Sequence, residues 1–184
     1  MTTVSLKNYQ NKWYNPGAGK LKQLLWLLVS AVFMQSGLFP FNALKIGLLR
    51  LFGATIGKGV VIKPSVHIKY PWYLTVGDDV WIGEKVWIDN LVLVSLGDNV
   101  CVSQGAYLLT GNHSYKSPNF DLIVGGITIE NGAWIGAKAT VCPGITVGSH
   151  AVITVGSVLT TNALAYGIYR GNPAVKIKER NIHA

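Results

Sequence analysis

Acidic residues are scarce in this chain of 184 residues: it has eight of them against sixteen lysines and arginines, and charged residues make up only 13% of the sequence. A soluble domain usually has about 25%, so much of the surface is expected to be hidden in an assembly. The two cysteines, Cys101 and Cys142, exclude a disulfide framework and suit a reducing compartment. No cleavable signal peptide is evident, because the first apolar run begins only near Leu24. We therefore expect a cytoplasmic protein.

The basic residues are concentrated at the two ends of the chain. Residues 1–50 contain six basic residues and no acidic residue. Residues 51–169 contain six basic and seven acidic residues, and residues 170–184 contain four basic residues and one acidic residue. No helix-turn-helix, RNA-binding or zinc motif accompanies this charge, which argues against a nucleic-acid partner. Anionic lipid at the front and a phosphate-bearing cofactor at the back explain it better.

Residues 1–53 are predicted to form an arm followed by an apolar helical segment. The arm covers residues 1–19, and helices are expected at 20–35 and 42–52, separated by Gly37 and Pro40. The second helix carries an apolar stripe with Lys45 and Arg50 off it; the stripe comprises Leu44, Leu48 and Leu51.

Three interpretations of residues 20–52 remain open. The segment packs on the body or on a neighbouring subunit, lies in a membrane interface at the inner face of the membrane with its lysines on lipid headgroups, or crosses the membrane. Residues 24–41 have no formal charge, and eighteen residues touch the lower limit of about 17 for a membrane span. Polar and helix-breaking residues such as Gln35 and Pro40 weaken the third interpretation.

A six-residue repeat dominates the rest of the chain. Each hexad opens with an aliphatic residue and has a turn-compatible residue, often glycine, in its fourth position. Equivalent openers in the first three groups lie twenty residues apart, which is three hexads and a two-residue insertion. The openers are Ile56, Ile62, Ile68, Val76, Ile82, Ile88, Leu96, Val102, Leu108, Ile129, Ile135, Val141, Val147, Ile153 and Leu159.

This period predicts a triangular parallel β-helix, in which three hexads form one coil and rows of aliphatic side chains fill the prism. We expect about five coils over residues 54–166, with a loop inserted at 114–128 and a basic tail at 167–184. The outward aromatic residues Trp81, Trp87, Tyr107 and Trp134 are interpreted as one row that is too apolar for a solvated surface, which predicts a homotrimer.

The hexads resemble those of the hexapeptide-repeat acyltransferases. Examples are Val76-Gly77-Asp78-Asp79-Val80 and Leu96-Gly97-Asp98-Asn99-Val100, and the likeness covers about two thirds of the chain. The segments 110–115, 132–136, 171–174 and 177–180 most resemble the colanic-acid and exopolysaccharide acetyltransferases, which are related to the maltose and galactoside O-acetyltransferases. The resemblance implies an all-β fold, a left-handed parallel β-helix with an N-terminal helical segment, and transfer of acetyl from acetyl-CoA to a sugar hydroxyl.

His113 is the candidate catalytic residue, because it stands at the end of a hexad where the repeat is interrupted. A sugar hydroxyl that attacks a thioester must lose its proton, and an imidazole can accept it. The resemblance implies that His113 is this base in a direct transfer without a covalent intermediate. It also implies that the acceptor, a free or lipid-linked sugar, binds on the same edge of the prism as His113. The residues implied in this contact are Asp89, Asn90, Asn112 and Tyr115.

The resemblance further implies that acetyl-CoA lies in a groove between the later coils of adjacent subunits. The residues implied are Trp134, Gly136, Ala137, Val155 and Thr160, with Lys176, Lys178 and Arg180 for the phosphates. The chain departs from many relatives at Thr160-Thr161, where those have a lysine, so the phosphate contacts are expected to differ.

Three other functions compete with sugar O-acetylation. An N-acyltransferase that acts on an amino sugar and a non-catalytic β-helix scaffold both remain alternatives, and the scaffold would leave His113 dispensable. A zinc enzyme of the kind built on trimeric β-helices needs three converging imidazoles. His67, His113 and His150 fall on different faces and levels of the predicted prism, so no metal is expected.

Overall fold

The structure, a computed structural model, describes residues 3–183; the ends of the predicted arm and tail, residues 1, 2 and 184, lie outside the described residues. A short 3₁₀ turn at Leu6–Asn8 precedes helices α1 (Lys20–Phe33) and α2 (Asn42–Leu51). A second 3₁₀ turn lies at Pro71–Tyr73. The strands are β1 Thr55–Ile56, β2 Val61–Ile62, β3 His67–Ile68, β4 Leu74–Val76, β5 Trp81–Ile82, β6 Trp87–Asp89, β7 Val94–Leu96, β8 Cys101–Val102, β9 Tyr107–Leu109, β10 Gly111–His113, β11 Leu122–Val124, β12 Ile127–Ile129, β13 Trp134–Ile135, β14 Thr140–Val141, β15 Thr146–Val147, β16 Val152–Ile153, β17 Val158–Leu159, β18 Gly167–Gly171 and β19 Ala174–Glu179.

Three parallel sheets form the faces of a prism. Face A contains β1, β4, β7, β12 and β15; face B contains β2, β5, β8, β13 and β16, extended by β18 and β19; face C contains β3, β6, β9, β14 and β17. The chain visits the faces in the order A, B, C, which gives five complete coils and the start of a sixth. The predicted parallel β-helix is confirmed, and it agrees with the left-handed form that the family resemblance implies.

The aliphatic openers stack in register and fill the interior. On face B, Ile82, Val102, Ile135 and Ile153 lie directly above one another, and each is fully buried. Fully burying a side chain of this kind contributes about 1.5–3 kcal/mol, and the repeat supplies one such residue per face in every coil. The corners also follow the sequence pattern, since Asp79 adopts a positive φ of 57°.

The exposed aromatic residues lie on two faces, so the prediction of a single row is wrong. Trp81 and Trp134 lie on face B, whereas Trp87 lies on face C and stacks on Tyr107 with ring centroids 4.9 Å apart. The reason is the period itself, because residues six apart occupy successive faces. Two apolar surfaces therefore flank the corner between these faces.

Helix α2 closes the open end of the prism, and its buried face differs from the predicted stripe. Lys45 and Leu49 are fully buried, whereas Leu44 is 45% and Leu51 76% exposed. The first coil has no coil beneath it, so its backbone groups need other partners. Lys45 Nζ donates hydrogen bonds to the carbonyl oxygens of Ile62 at 3.3 Å and Lys63 at 3.1 Å.

Other helical side chains complete this cap. Trp26 Nε1 donates to Ile68 O at 2.9 Å, and Arg50 donates to Ile56 O at 2.7 Å. Asn42 both donates to Val60 O and accepts from the Ile62 amide, each at 2.8 Å. A cap made of polar side chains explains why a lysine is buried, and burial lowers the pKa of that lysine.

Lys45→Ala is expected to destabilise the protein by about 1–3 kcal/mol, because it leaves buried carbonyl oxygens without a donor. Urea denaturation followed by circular dichroism measures this loss. Lys20→Ala, which removes an exposed lysine at the start of α1, is the control and should change the free energy of unfolding little. Equal stability of the two variants would contradict the capping role.

Candidate active site

The interruption of the repeat forms a β-hairpin that carries His113. Strand β10 pairs antiparallel with β11, and His113 lies opposite Leu122. His113 Nδ1 is 2.9 Å from the backbone oxygen of Phe120. A carbonyl oxygen only accepts hydrogen bonds, so Nδ1 is the donor, and the neutral ring keeps its lone pair on Nε2. The hairpin thus presents an imidazole in the tautomer that a proton acceptor requires.

Two aromatic rings fix the plane of this imidazole. The Phe120 ring stacks on it with centroids 4.3 Å apart and an interplanar angle of 7°, and the Tyr9 ring meets it edge-on at 5.6 Å. Phe120 has a φ of 54°, a conformation that is rare for a bulky side chain and that often accompanies function. This backbone geometry lets one residue supply both the stacking ring and the carbonyl oxygen that orients His113.

The N-terminal arm packs along the corner of the prism that carries His113. The Ser5 amide donates to Pro118 O at 2.8 Å, Tyr14 Oη donates to Leu91 O at 2.7 Å, and Trp72 Nε1 donates to Pro16 O at 2.7 Å. These bonds place Tyr9 against His113. The sequence predicted an extended arm but gave no sign of this contact.

Asp89 lies one coil below the hairpin on the same corner, beneath Leu109. Its side chain is 14% exposed, and its Oδ1 is 3.1 Å from Lys69 Nζ but receives no well-aligned hydrogen bond. Tyr107 Oη donates to Oδ2 at 3.4 Å, and burial together with this carboxylate raises the pKa of Tyr107 to about 12. The tyrosine therefore remains a protonated donor, and Asp89 Oδ1 is buried beside Lys69.

Asn90 does not face this corner, which contradicts the predicted contact between its side chain and an acceptor. The residue is fully buried. Its Nδ2 donates to the backbone oxygens of Tyr70 at 2.6 Å and Tyr73 at 3.1 Å, and its Oδ1 accepts from the Tyr70 amide at 3.0 Å. The amide group is consumed in holding the turn between the first two coils.

The other two predicted acceptor residues lie in the hairpin itself. Tyr115 is 80% exposed. Asn112 is also exposed, and its Oδ1 accepts from the His113 amide at 2.8 Å. Both residues are therefore next to His113 and reachable from solvent.

Four of the predicted cofactor residues line one groove of about 350 Å³ at the corner where face B turns toward face C: Trp134, Gly136, Ala137 and Val155. The Trp134 indole is held by a 2.8 Å hydrogen bond from Nε1 to Ser103 Oγ. A Cβ on Gly136 would lie 2.6 Å from Ile153 O, so glycine is needed for the coils to stack here.

The polar lining residues Ser103, Gln104 and Thr154 were missed by the sequence analysis. Their hexad positions are ordinary corner positions, so only the stacked coils reveal them. Ser103 and Gln104 also line a second groove of about 240 Å³, which extends the first one toward Trp81.

The remaining predicted cofactor residues do not line this groove. Thr160 is exposed and does not line it. Lys176 forms an ion pair with Glu179, and Arg180 Nη1 donates to the carbonyl oxygens of Gly132 at 3.0 Å and His150 at 3.1 Å. The guanidinium group of Arg180 therefore binds backbone oxygens of the last coils, contrary to the expectation that it is available for phosphate. Lys178 is exposed on β19.

His113 and the groove occupy different corners of the prism. His113 follows face C, where the chain turns toward face A, whereas the groove follows face B. A single copy of the chain does not bring them together. Within residues 3–183, no three histidine, cysteine, aspartate or glutamate side chains are grouped so as to hold a metal ion.

Comparison with known proteins gives consistent matches. The family described as hexapeptide repeat of succinyl-transferase matches residues 73–110 and 126–161. The chain is 39% identical over 171 residues to the protein named as colanic acid biosynthesis acetyltransferase WcaF of Escherichia coli K12, which covers 92% of each chain. It is 29% identical over 137 residues to galactoside O-acetyltransferase of the same strain, which covers 73% of this chain and 68% of the relative.

Solved structures share the fold. A hexapeptide-repeat acetyltransferase of Vibrio cholerae in complex with acetyl-CoA superposes with a TM-score of 0.82 at 19% identity, over 97% of this chain and all of the other. A galactoside acetyltransferase in complex with coenzyme A gives a TM-score of 0.77 at 26% identity, over 88% of this chain and 82% of the other.

Proposed function

Because this chain belongs to the hexapeptide-repeat acetyltransferases, we propose that it transfers acetyl from acetyl-CoA to a hydroxyl group of a sugar in exopolysaccharide biosynthesis. The observation that carries the proposal is the hydrogen bond from His113 Nδ1 to Phe120 O, which leaves Nε2 as a proton acceptor. The similarity to a colanic acid biosynthesis acetyltransferase and to a galactoside O-acetyltransferase supports a sugar as the acceptor.

In the proposed reaction, His113 Nε2 accepts the hydroxyl proton while the sugar oxygen attacks the thioester carbonyl carbon. The resulting tetrahedral oxyanion needs a hydrogen-bond donor, for which backbone N–H groups beside the groove are candidates. Its collapse breaks the carbon–sulfur bond, and the proton on Nε2 passes to the leaving sulfur. The products are the acetylated sugar and coenzyme A, and His113 returns to its starting state.

Acetyl-CoA is assigned to the groove lined by Trp134, Ala137 and Val155. The indole face and the small residue beside it suit the thin pantetheine arm, and Lys178, one of the predicted phosphate contacts, is exposed on β19 and available for the phosphates. The sugar is assigned to the corner of Asp89, Asn112 and Tyr115, where the exposed side chains of Asn112 and Tyr115 can form hydrogen bonds with hydroxyl groups.

We further propose that the active enzyme is a homotrimer in which His113 of one copy meets the groove of the next. The separation of these two parts on different corners of one prism supports a shared site. The exposed Trp81 and Trp134 on one face and Trp87 on the next provide apolar surface for such contacts.

A coenzyme A release assay tests the proposed function. The protein is incubated with acetyl-CoA and with matched pairs of hydroxyl sugars and amino sugars, each free, nucleotide-linked or lipid-linked. We expect release with a hydroxyl acceptor and a product that carries an alkali-labile ester. An alkali-stable amide on the amino sugar would replace the proposal with N-acyl transfer, and no release with any acceptor would favour the scaffold.

A further inference from the structure

Helix α1 exposes a face made only of apolar residues. Its inward side chains are spaced four apart, and Trp26, Ser30 and Met34 are buried against the prism. A surface helix normally carries polar residues on the opposite side. The exposed residues of α1 after Lys20 are all apolar: Leu21, Leu24, Leu25, Leu27, Leu28, Ala31 and Val32. The leucines among them are 46–71% exposed.

The apolar exposure continues after the helix. Leu38 is 93% exposed and Phe41 is 64% exposed in the connection to α2. Isolated exposed leucines are common on soluble proteins, but a contiguous set of this kind marks a surface that meets a partner. We call the exposed residues of 21–41 the apolar face.

The charges around the apolar face are all positive. Residues 1–50 contain no acidic residue. Two of the six cations in this segment serve the prism, since Lys45 is buried and Arg50 binds backbone oxygens of the first coil. Lys20 and Lys22 lie in the first turn of α1, where the apolar face begins, whereas Lys7 and Lys12 lie in the arm.

The dimensions of the helix favour a surface orientation. Its 14 residues correspond to a length of about 21 Å, which is shorter than the hydrocarbon core of about 30 Å. Within residues 3–183, no helix is both long enough and apolar enough to cross a bilayer. A short helix with an apolar side and flanking lysines is the type of element that lies flat in the headgroup region.

We propose that the apolar face docks α1 flat on an anionic phospholipid bilayer. The apolar side chains enter the boundary between headgroups and acyl chains, and the lysines of the first turn of α1, Lys20 and Lys22, meet anionic headgroups. A symmetric contact between the apolar faces of two copies is a poorer alternative, because residues 1–50 contain no acid to neutralise the lysines that would face each other. Contact between this face and the prism of a neighbouring copy is the other alternative, and the mass measurement below distinguishes it.

Docking would also position the proposed active site. Trp26 on the buried side of α1 binds Ile68 O of β3, and β9, which leads to His113, lies two coils above β3 on the same face. Coils are spaced as strands are, so the corner of His113 stands about 10 Å above the level of β3. This consequence rests on the proposed function and favours an acceptor sugar attached to a lipid; the docking itself does not depend on it.

Vesicle sedimentation with the full chain tests the docking. Vesicles of phosphatidylcholine and phosphatidylglycerol in equal parts are compared with vesicles of phosphatidylcholine alone. We expect most of the protein to pellet with the anionic vesicles and at least tenfold less in Leu25→Glu/Leu28→Glu, which places two acids on exposed positions. Raising the salt concentration should weaken binding, because exposed charges are screened.

The matched control is Leu164→Glu/Ile182→Glu, which adds two acids at exposed apolar positions of the opposite end of the prism and should pellet as the parent does. Light scattering gives the mass of each variant. Failure of the parent protein to pellet, or a smaller mass in Leu25→Glu/Leu28→Glu, would overturn the proposal, the latter by assigning the apolar face to a second copy. The coenzyme A release assay with free sugars separates this failure from a failure of the transferase proposal, since it needs no vesicles.

Discussion

His113→Ala is expected to lower kcat of acetyl transfer by about 10²–10⁴-fold, the range for losing a general acid–base group. The expectation follows from the single orientation of the imidazole: Nδ1 is tied to Phe120 O, so Nε2 is the atom offered to the acceptor. Asp121, at the hairpin, accepts a hydrogen bond from Ser117 Oγ. Asp89 is one coil lower on this corner and interacts with Lys69. It is therefore not positioned to replace the imidazole.

The change should leave the binding of coenzyme A within a fewfold of the parent value, because it leaves the residues that line the groove intact and the imidazole acts on the acceptor hydroxyl. Initial rates of coenzyme A release, with the dissociation constant measured by calorimetry, separate the two effects. His183→Ala removes an exposed histidine near the C-terminus and serves as the control. A parent-like rate in His113→Ala would remove the catalytic assignment.

The prism was predictable because each hexad carries its own structural information. Ile82, Val102 and Ile135 are six-residue openers in sequence and neighbours on face B in space, so one local pattern, repeated, fixes both the strand and its burial. The turn positions agree independently, as Asp79 shows with its positive φ. No long-range information is needed for such a fold.

The capping helix was not predictable by the same logic. The apolar periodicity predicted that Leu44 and Leu51 belong to the buried face of α2, but the fully buried residues are Lys45 and Leu49. The surface beneath the first coil consists of backbone groups that lack partners, and a hydrogen-bond donor is favoured there over a leucine. Unsatisfied backbone groups leave no mark in a hydrophobic pattern.

The candidate site was predictable in part. His113 stands out because the repeat stops beside it, yet the group that orients it is the backbone oxygen of Phe120, which no side-chain pattern reveals. The carboxylates available in the sequence have other partners, since Asp121 accepts from Ser117 Oγ and Glu130 accepts from Ser149. The predicted acceptor contact at Asn90 was wrong, because its side-chain amide is hydrogen-bonded to the backbone at the turn between the first two coils.

Two inactive variants should restore activity to each other if the site is shared between copies. His113→Ala keeps an intact groove. Ala137→Trp/Val155→Trp keeps His113 but fills the groove, because both positions line it and Val155 is 71% exposed. Each variant alone is expected to be nearly inactive, the first for lack of a base and the second for lack of acetyl-CoA binding.

Mixed trimers contain complete sites wherever a groove-filled copy supplies His113 to a His113→Ala copy. With equal amounts and random assembly in a cyclic trimer, each junction has a one-half chance of the right donor and a one-half chance of the right groove. About a quarter of all sites are then complete, and the rate should rise to about a quarter of the parent rate.

The rate of coenzyme A release by co-expressed mixtures of these two variants, each with its own tag and assayed without selection for mixed trimers, is the most direct measurement of the shared site. The account predicts about a quarter of the parent rate in the mixture and almost none in either variant alone. A mixture as inactive as its components, with mixed assembly verified by retention of both tags, would show that the base and the acetyl donor meet within one chain and would contradict the account.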